Sequence, residues 1–262
     1  MFIQRTVRIS MAEKQGYANE YRMHQLGGAR TNNREDYAEL SDEEFANFRA
    51  VATTGMGTDT LFRSSSPIDP ALNRNEEADE ALLNALISCV VNMADTEEEL
   101  EAYSDYHLTS YSQCRVLALG MNMDLFSDEF RDDLCDAYRF IASQDGPCLI
   151  HCTEGKDRTG FTVAVLECLM GADADEVTED YMHSYYNFYG IGPDSEQYET
   201  IADSNIRANL CRAFGIISLK DADLSACAEE YLKEIGMTEY DVDALRAKLA
   251  EDYGGLSETR QD

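Results

Sequence analysis

The run Pro147-Cys148-Leu149-Ile150-His151-Cys152-Thr153-Glu154-Gly155-Lys156-Asp157-Arg158-Thr159-Gly160 decides how this chain is read. Its first six residues, PCLIHC, read as a short apolar strand. Beyond the loop, RTGFTVAVLECLMG is apolar nearly all round, which predicts a buried helix closed by Gly171. A loop between a buried strand and a helix start faces unpaired backbone N–H groups and the positive end of the helix dipole. Gly155 and Gly160 let the backbone turn and approach a ligand closely. Successive N–H groups curled around one point make an anion nest.

Cys152 opens that nest. The dipole and the converging donors favour its thiolate, a nucleophile toward a phosphorus atom held in front of it. Six residues on, Arg158 returns over the loop, and its guanidinium fork matches two non-bridging phosphate oxygens as lysine would not. Thr159 is placed to donate its hydroxyl to the Cys152 sulfur and help it leave. His151 is expected to hold the loop backbone. Thr153, Glu154, Gly155, Lys156, Thr159 and Gly160 are read as the phosphate-binding lining. The bland alternative is an inert buried Cys152 with Arg158 in a surface ion pair. It leaves the placement between strand and helix unexplained.

Working outward, strands and helices alternate. LFRSSS reads as a strand running into a loop punctuated by Pro67 and Pro70, EEADEALLNAL as a helix, and SCVVNMA as a buried strand ending at Asp95. TEEELEAY is a second helix and RVLALGM a strand. SDEFRDDLCDAYRFIAS is a helix with Ser127 at its N-cap. The alternation implies an α/β domain with a mostly parallel central sheet flanked by helices. After Gly171 everything reads as extra C-terminal helices: DADEVTEDYMHSYYNFYG, SEQYETIADSNIRANLCRAFG, and a pair ending at Gly236 and Gly254. Upstream, Ser41 with Glu44 is a capping-box signature for a helix over EEFANFRAV. TVRISM reads as a short strand and MAEKQGYANEYRMHQL has helical character. The expected organisation is an N-terminal helical extension (1–56), a core (57–190) and C-terminal helices packed on it (191–262).

The loop residues match the H-C-x5-R-[ST] signature one for one, and in this the chain resembles the protein-tyrosine-phosphatase superfamily. The interior G-K-D-R-T-G is similar to the atypical bacterial tyrosine and dual-specificity phosphatases that also act on phosphoinositides. Its D-R-T portion also resembles myotubularin-type lipid phosphatases. LFRSSSP resembles the "Y-R-S" strand of the bacterial group, and SCVVNMADTEEEL the strand that follows it there. The resemblance runs in order over roughly residues 57 to 190 and is specific only in the loop. It implies the superfamily fold and phosphomonoester hydrolysis through a phosphocysteine without a cofactor. The substrate is then phosphotyrosine on protein, or alternatively a phosphoinositide or inositol phosphate. In such relatives the phosphatase part often follows a β-rich domain, so residues 1–56 would be a remnant of one.

The leaving oxygen needs a proton donor. The resemblance favours Asp157, inside the loop beside Arg158. Asp124 in GMNMDLFSDEF competes, because it follows a strand and lies 28 residues before Cys152, where a mobile-loop acid would be. Its alternative role is helix entry near Ser127. No W-P-D sequence exists, since the chain has no Trp. Asp95, at a strand end, is a third candidate, with a structural hydrogen bond the plainer role. Lys156 reads either as a second positive charge at the mouth, gripping an extra phosphate, or as cancelled by Glu154 and Asp157. Arg63 is expected to brace the loop or an acidic neighbour. The tyrosines of YMHSYYNFYG read as core contacts rather than a stacking wall. Cys148 reads as packed in the sheet rather than as a trap for oxidised Cys152.

The whole-chain balance sets limits. Twenty-one Lys and Arg against 51 Asp and Glu give a formal net charge of −30. That excludes nucleic acid as a general partner and disfavours adsorption to anionic lipid. No run of eighteen apolar residues and no signal-peptide pattern occurs, which reads as a cytoplasmic chain, or a part of an exported parent. Eight scattered cysteines without a CxxC pair read as free thiols, and four scattered histidines make no metal set. A catalytically silent phosphate-binding module is the rival of a different class; binding needs no nucleophile, so Cys152 argues against it. Oligomeric state is not legible.

Overall fold

The computed structural model describes residues 32–254. Five strands, β1 (Arg49–Ala50), β2 (Leu61–Ser64), β3 (Cys89–Asn92), β4 (Arg115–Ala118) and β5 (Cys148–His151), form one sheet in the order β1-β2-β5-β3-β4. Only β1 runs antiparallel, so the expected mostly parallel α/β sheet is present. β5 is central, with His151 level with Ser64 on one side and Asn92 on the other. The loop leaving β5 therefore sits where the connections diverge to opposite sides, the crevice at which open parallel sheets bind ligands.

Strand alternation sends Leu61, Val91 and Ile150 to one face and Phe62, Val90 and Leu149 to the other. The first face is covered by α4 (Asp128–Ser143) and α5 (Asp157–Met170), and the second by α2 (Asn75–Asn84). α5 is buried on nearly every side because it runs between the sheet and the C-terminal helices: α9 (Leu224–Glu234) packs on it, and α10 (Glu239–Leu249) packs on α4. That explains a helix with no polar face. α6 (Ala174–Tyr189) follows Gly171, which closes α5 in the left-handed conformation at φ 102°. The remaining short helices are α1 (Asp42–Phe45), α3 (Glu97–Glu101), α7 (Tyr198–Ala202) and α8 (Ala208–Phe214).

Four expectations are corrected. The Ser41–Glu44 capping box forms, but its helix stops after one turn, because Asn47 takes φ 53° and Arg49–Ala50 pair with β2. The helix read over SEQYETIADSNIRANLCRAFG starts only at Tyr198 and runs to Phe214 with a π-helical turn at Asp203–Arg207 inside it. α10 ends at Leu249, well before Gly254. Cys89 and Cys148 are a disulfide rather than free thiols: they lie directly opposite in the β3–β5 register, with Cα atoms 4.9 Å apart. Strand order creates that proximity, and spacing along the chain does not reveal it. The expected strand TVRISM and helix MAEKQGYANEYRMHQL lie outside the described residues.

Behind the sheet's ligand edge is a buried ionic cluster. Asp180 on α6 accepts from Arg49 Nε at 2.8 Å and pairs with the fully buried Arg63. Burial pushes the Asp180 carboxyl up, but the two guanidinium groups overcome this and hold it near 2. Glu167 on α5 is fully buried, and neither of its oxygens has a hydrogen-bond partner. Burial, with repulsion from Asp180, pushes its carboxyl well above the ordinary glutamate range. As pH rises past the unfolded-state value, the unfolded chain loses this proton and the folded chain keeps it, so stability falls until the folded value is reached. Glu167→Gln should remove that loss. Its stability relative to the parent should climb between pH 5 and pH 8 at up to about 1.4 kcal/mol per pH unit. Urea unfolding at several pH values reads this, and a pH-independent gap would contradict it.

Candidate active site

The loop from Cys152 to Lys156 has its carbonyls tied behind it and its N–H groups turned the other way. The His151 ring nitrogen Nδ1 lies 3.3 Å from the Cys152 carbonyl. The Thr153 carbonyl accepts from the Ser66 N–H at 3.2 Å. Asn47 Nδ2 donates to the Glu154 carbonyl at 3.0 Å and to that of Gly155 at 3.3 Å. Arg63 Nη2 also donates to the Gly155 carbonyl, at 2.9 Å, and the Lys156 carbonyl accepts the first helical bond, from Gly160, at 2.8 Å. Among the described residues, the N–H groups of Thr153, Gly155, Asp157, Arg158 and Thr159 have no backbone acceptor. These are the donors of an anion nest at the start of α5.

Cys152 is a free thiol, 3% exposed, at the head of this nest. His151 is fully buried, with Nε2 3.0 Å from the Tyr111 hydroxyl. Burial, with help from the Arg158 charge and against the bond to the Cys152 carbonyl, lowers the ring to about 3, so it is neutral. A neutral ring that donates from Nδ1 to the carbonyl accepts from Tyr111 at Nε2, which fixes both tautomer and loop.

Arg158 is held across the site. Its Nη1 donates to the carbonyls of Met93 at 2.6 Å and Met121 at 2.8 Å, just beyond β3 and β4. Its Nη2 reaches Thr153 Oγ1 at 3.3 Å, and Nε, though buried, has no partner. One nitrogen thus anchors the guanidinium and leaves the Nε–Nη2 edge, the side that grips two oxygens at once. The Thr159 hydroxyl is buried without a hydrogen-bond partner.

The two glycines serve different ends. Gly155 has φ 66°, and a Cβ there would overlap the Ser64 carbonyl at the end of β2. Gly160 was expected to admit a ligand. A Cβ at that position would instead lie 2.6 Å from the Tyr181 ring, so its absence serves the packing of α6 on α5. Lys156 is not at the mouth: it is 1% exposed, 2.7 Å from Asp157 and 3.6 Å from Glu154, with Nζ 4.8 Å from the centre of the Tyr185 ring. Burial alone would lower its pKa, but the carboxylates, Asp157 foremost, hold it well above the ordinary lysine range.

Of the candidate acids, Asp157 lies in the loop as the first residue of α5. It is held by Lys156 and by the Tyr181 hydroxyl at 3.3 Å. Asp124 is exposed and makes turn bonds: Oδ1 accepts from the Phe126 N–H at 3.1 Å, and its carbonyl accepts from the Ser127 N–H. Asp95 lies 3.2 Å from Asn92 Nδ2 and 3.3 Å from the Tyr103 hydroxyl. Cys148, bonded to Cys89, offers Cys152 no thiol. Arg63 braces both the loop and Asp180, as its position suggested. Asn47, 107 residues from Glu154, gave no sign of its role in the sequence.

The described residues contain no group of three or more His, Cys, Asp or Glu placed to hold a metal ion, and no helix long and apolar enough to cross a membrane.

Cys152, the N–H groups at the start of α5 and the anchored Arg158 guanidinium thus belong to one loop. The family model described as "Tyrosine phosphatase family" matches residues 35–251, and the chain belongs to that family of phosphatases. It is 24% identical over 234 residues to a tyrosine-protein phosphatase of Nostoc commune, covering 77% of this chain and 78% of the relative. Among solved structures it is similar to P. aeruginosa TpbA in complex with pTyr. That match has a TM-score of 0.43 and 17% identity, over 73% of this chain and 93% of TpbA. A second TpbA structure matches with a TM-score of 0.37 and 20% identity, over 74% of this chain and 88% of TpbA.

Gly155→Ala should force the loop off β2, because both the positive φ and the Ser64 carbonyl oppose a methyl group. The expected result is a loss of about 1–3 kcal/mol in urea unfolding together with loss of phosphatase activity. Full activity at unchanged stability would show that the loop does not need this approach.

Proposed function

We propose that the protein hydrolyses phosphomonoesters, phosphotyrosine on protein foremost, through a phosphocysteine on Cys152. The observation that supports this best is the loop itself. Its carbonyls are all tied away, Cys152 heads its N–H groups, and Arg158 reaches back to the loop with Nη2 3.3 Å from Thr153 Oγ1 and a buried Nε left without a partner. The phosphoryl group would sit in the nest with its oxygens on the N–H groups and the guanidinium. The Cys152 thiolate attacks phosphorus; the S–P bond forms as the bond to the leaving oxygen breaks, and that oxygen takes a proton from Asp157. Water then attacks the phosphocysteine and gives its proton back to Asp157, and the sulfur leaves with the S–P electron pair. Thr159, whose hydroxyl has no other partner, stabilises the departing thiolate.

Asp157 is preferred to Asp124 because it lies in the loop, whereas Asp124 is engaged in the turn that starts α4. The family membership supports tyrosine phosphatase activity. A phosphoinositide or inositol polyphosphate is the weaker reading, because the cation that would take a second phosphate, Lys156, is buried in ion pairs.

Phosphate release from an aryl phosphate should persist in chelator and vanish in Cys152→Ser. Asp157→Asn should lower kcat by about 10²-fold or more and flatten the acidic limb of the pH profile. Asp124→Asn should do so far less, and the reverse ranking would move the proton donor to Asp124. Since the chain carries a net charge of −30, a multiply phosphorylated inositol should meet long-range repulsion. Its turnover relative to an aryl phosphate should rise with added salt, and a fall would restore Lys156 as a phosphate grip.

A further inference from the structure

We propose that Tyr181 is a positioning residue that aims the Asp157 carboxyl at the leaving oxygen. This rests on Asp157 as the proton donor. Tyr181 lies on α6, 3% exposed, and its hydroxyl donates to Asp157 Oδ1 at 3.3 Å. Its ring lies across the first turn of α5 at the place where residue 160 has no side chain; a Cβ there would be 2.6 Å from two ring carbons. The hydroxyl is thus delivered to the carboxyl from a ring fixed by packing.

The same helix face handles the counter-ion. Tyr185, one turn along α6, packs against Tyr181 with ring centres 5.7 Å apart and planes tilted by 42°, and lies beneath Lys156 Nζ. Lys156 Nζ contacts both Asp157 oxygens, at 2.9 and 2.7 Å. An ammonium that contacts both oxygens sets the plane of the carboxyl but leaves its two oxygens equivalent. A hydroxyl on Oδ1 alone makes them inequivalent, so Tyr181 breaks the symmetry and leaves Oδ2 as the oxygen that carries the proton. Burial raises the Tyr181 hydroxyl well above the ordinary tyrosine range, and it stays a donor throughout the working pH range.

Proton donation matters for a poor leaving group and little for a good one, so the role has a specific signature. The experiment compares kcat/KM for phenyl phosphate and for an aryl phosphate whose phenol is strongly acidic, in the parent, Tyr181→Phe, Asp157→Asn and the double variant. Phenylalanine keeps the ring and its packing, and the ratio of the two substrates does not depend on how much enzyme is folded. Tyr181→Phe is expected to lower the phenyl phosphate value about 10-fold with little change for the activated ester. Asp157→Asn should show the same selective loss, larger, and the double variant should lose no more than Asp157→Asn. If Asp157→Asn is selective and Tyr181→Phe is not, the positioning role is overturned while Asp157 stands as the donor. If Asp157→Asn is itself unselective, the proton-donor reading fails and takes this proposal with it. Losses that add in the double variant would also overturn the proposal, since they would place the hydroxyl's effect elsewhere.

Discussion

A loop that offers its N–H groups to an anion must do something with its carbonyls, and the rest of this structure follows from that constraint. Buried carbonyls without donors are expensive, and carbonyls turned into the nest would repel the ligand. Here each one is given a donor from behind: the His151 ring, the Ser66 N–H, the Asn47 amide, the Arg63 guanidinium and the first turn of α5. Three of these donors, on Asn47, Arg63 and Ser66, come from segments far from the loop in sequence. The sheet order brings them together, because β5 lies between β2 and β3 and its C-terminal end meets theirs.

The donors need support in turn. Arg63 is fully buried, and a guanidinium in that position is tolerable only when paired. Asp180 supplies the charge, and Arg49 shares it through Nε and through the Asp180 carbonyl at 2.6 Å. Asn47 is oriented by Arg49 Nη1 and by Asn187 Nδ2 on its Oδ1, which commits its amide nitrogen to the loop. α6 therefore serves the site although it contributes none of the signature residues. Its carboxylate holds the arginine that holds the loop, and its tyrosines contact the residues that follow Gly155.

Much of this could be read from the chain because the loop is contiguous. Strand, nest and helix lie in one run of residues, so the identity and order of Cys152, Arg158 and Thr159 carry the local geometry with them. Arg63 was also legible, since a charged residue in an apolar strand needs a partner. Asn47 was not: it lies in a segment whose capping box and apolar spacing continue a helical pattern. Only the pairing of Arg49–Ala50 with β2 turns it toward the loop. The Cys89–Cys148 bond and the inward turn of Lys156 share that cause. Both depend on which strand or helix lies next to another, and periodicity along one element says nothing about its neighbours.

The charge balance shows why the site is built from backbone. In a chain with 30 more formal negative charges than positive, exposed lysines at the mouth would be neutralised by their surroundings. The loop's own lysine has gone that way, sequestered among Asp157, Glu154 and Tyr185. N–H dipoles cannot be neutralised by a passing carboxylate side chain without its entering the nest, and their field falls off over a few ångströms. Arg158 adds a full charge, and its position is set by the Met93 and Met121 carbonyls rather than by an acid. Attraction for phosphate is thereby confined to a group that fits inside the loop, while the outer surface repels anions in general. If the loop takes the phosphate as proposed, this charge layout favours a single phosphate on an otherwise neutral or cationic carrier, in keeping with the proposed phosphotyrosine substrate.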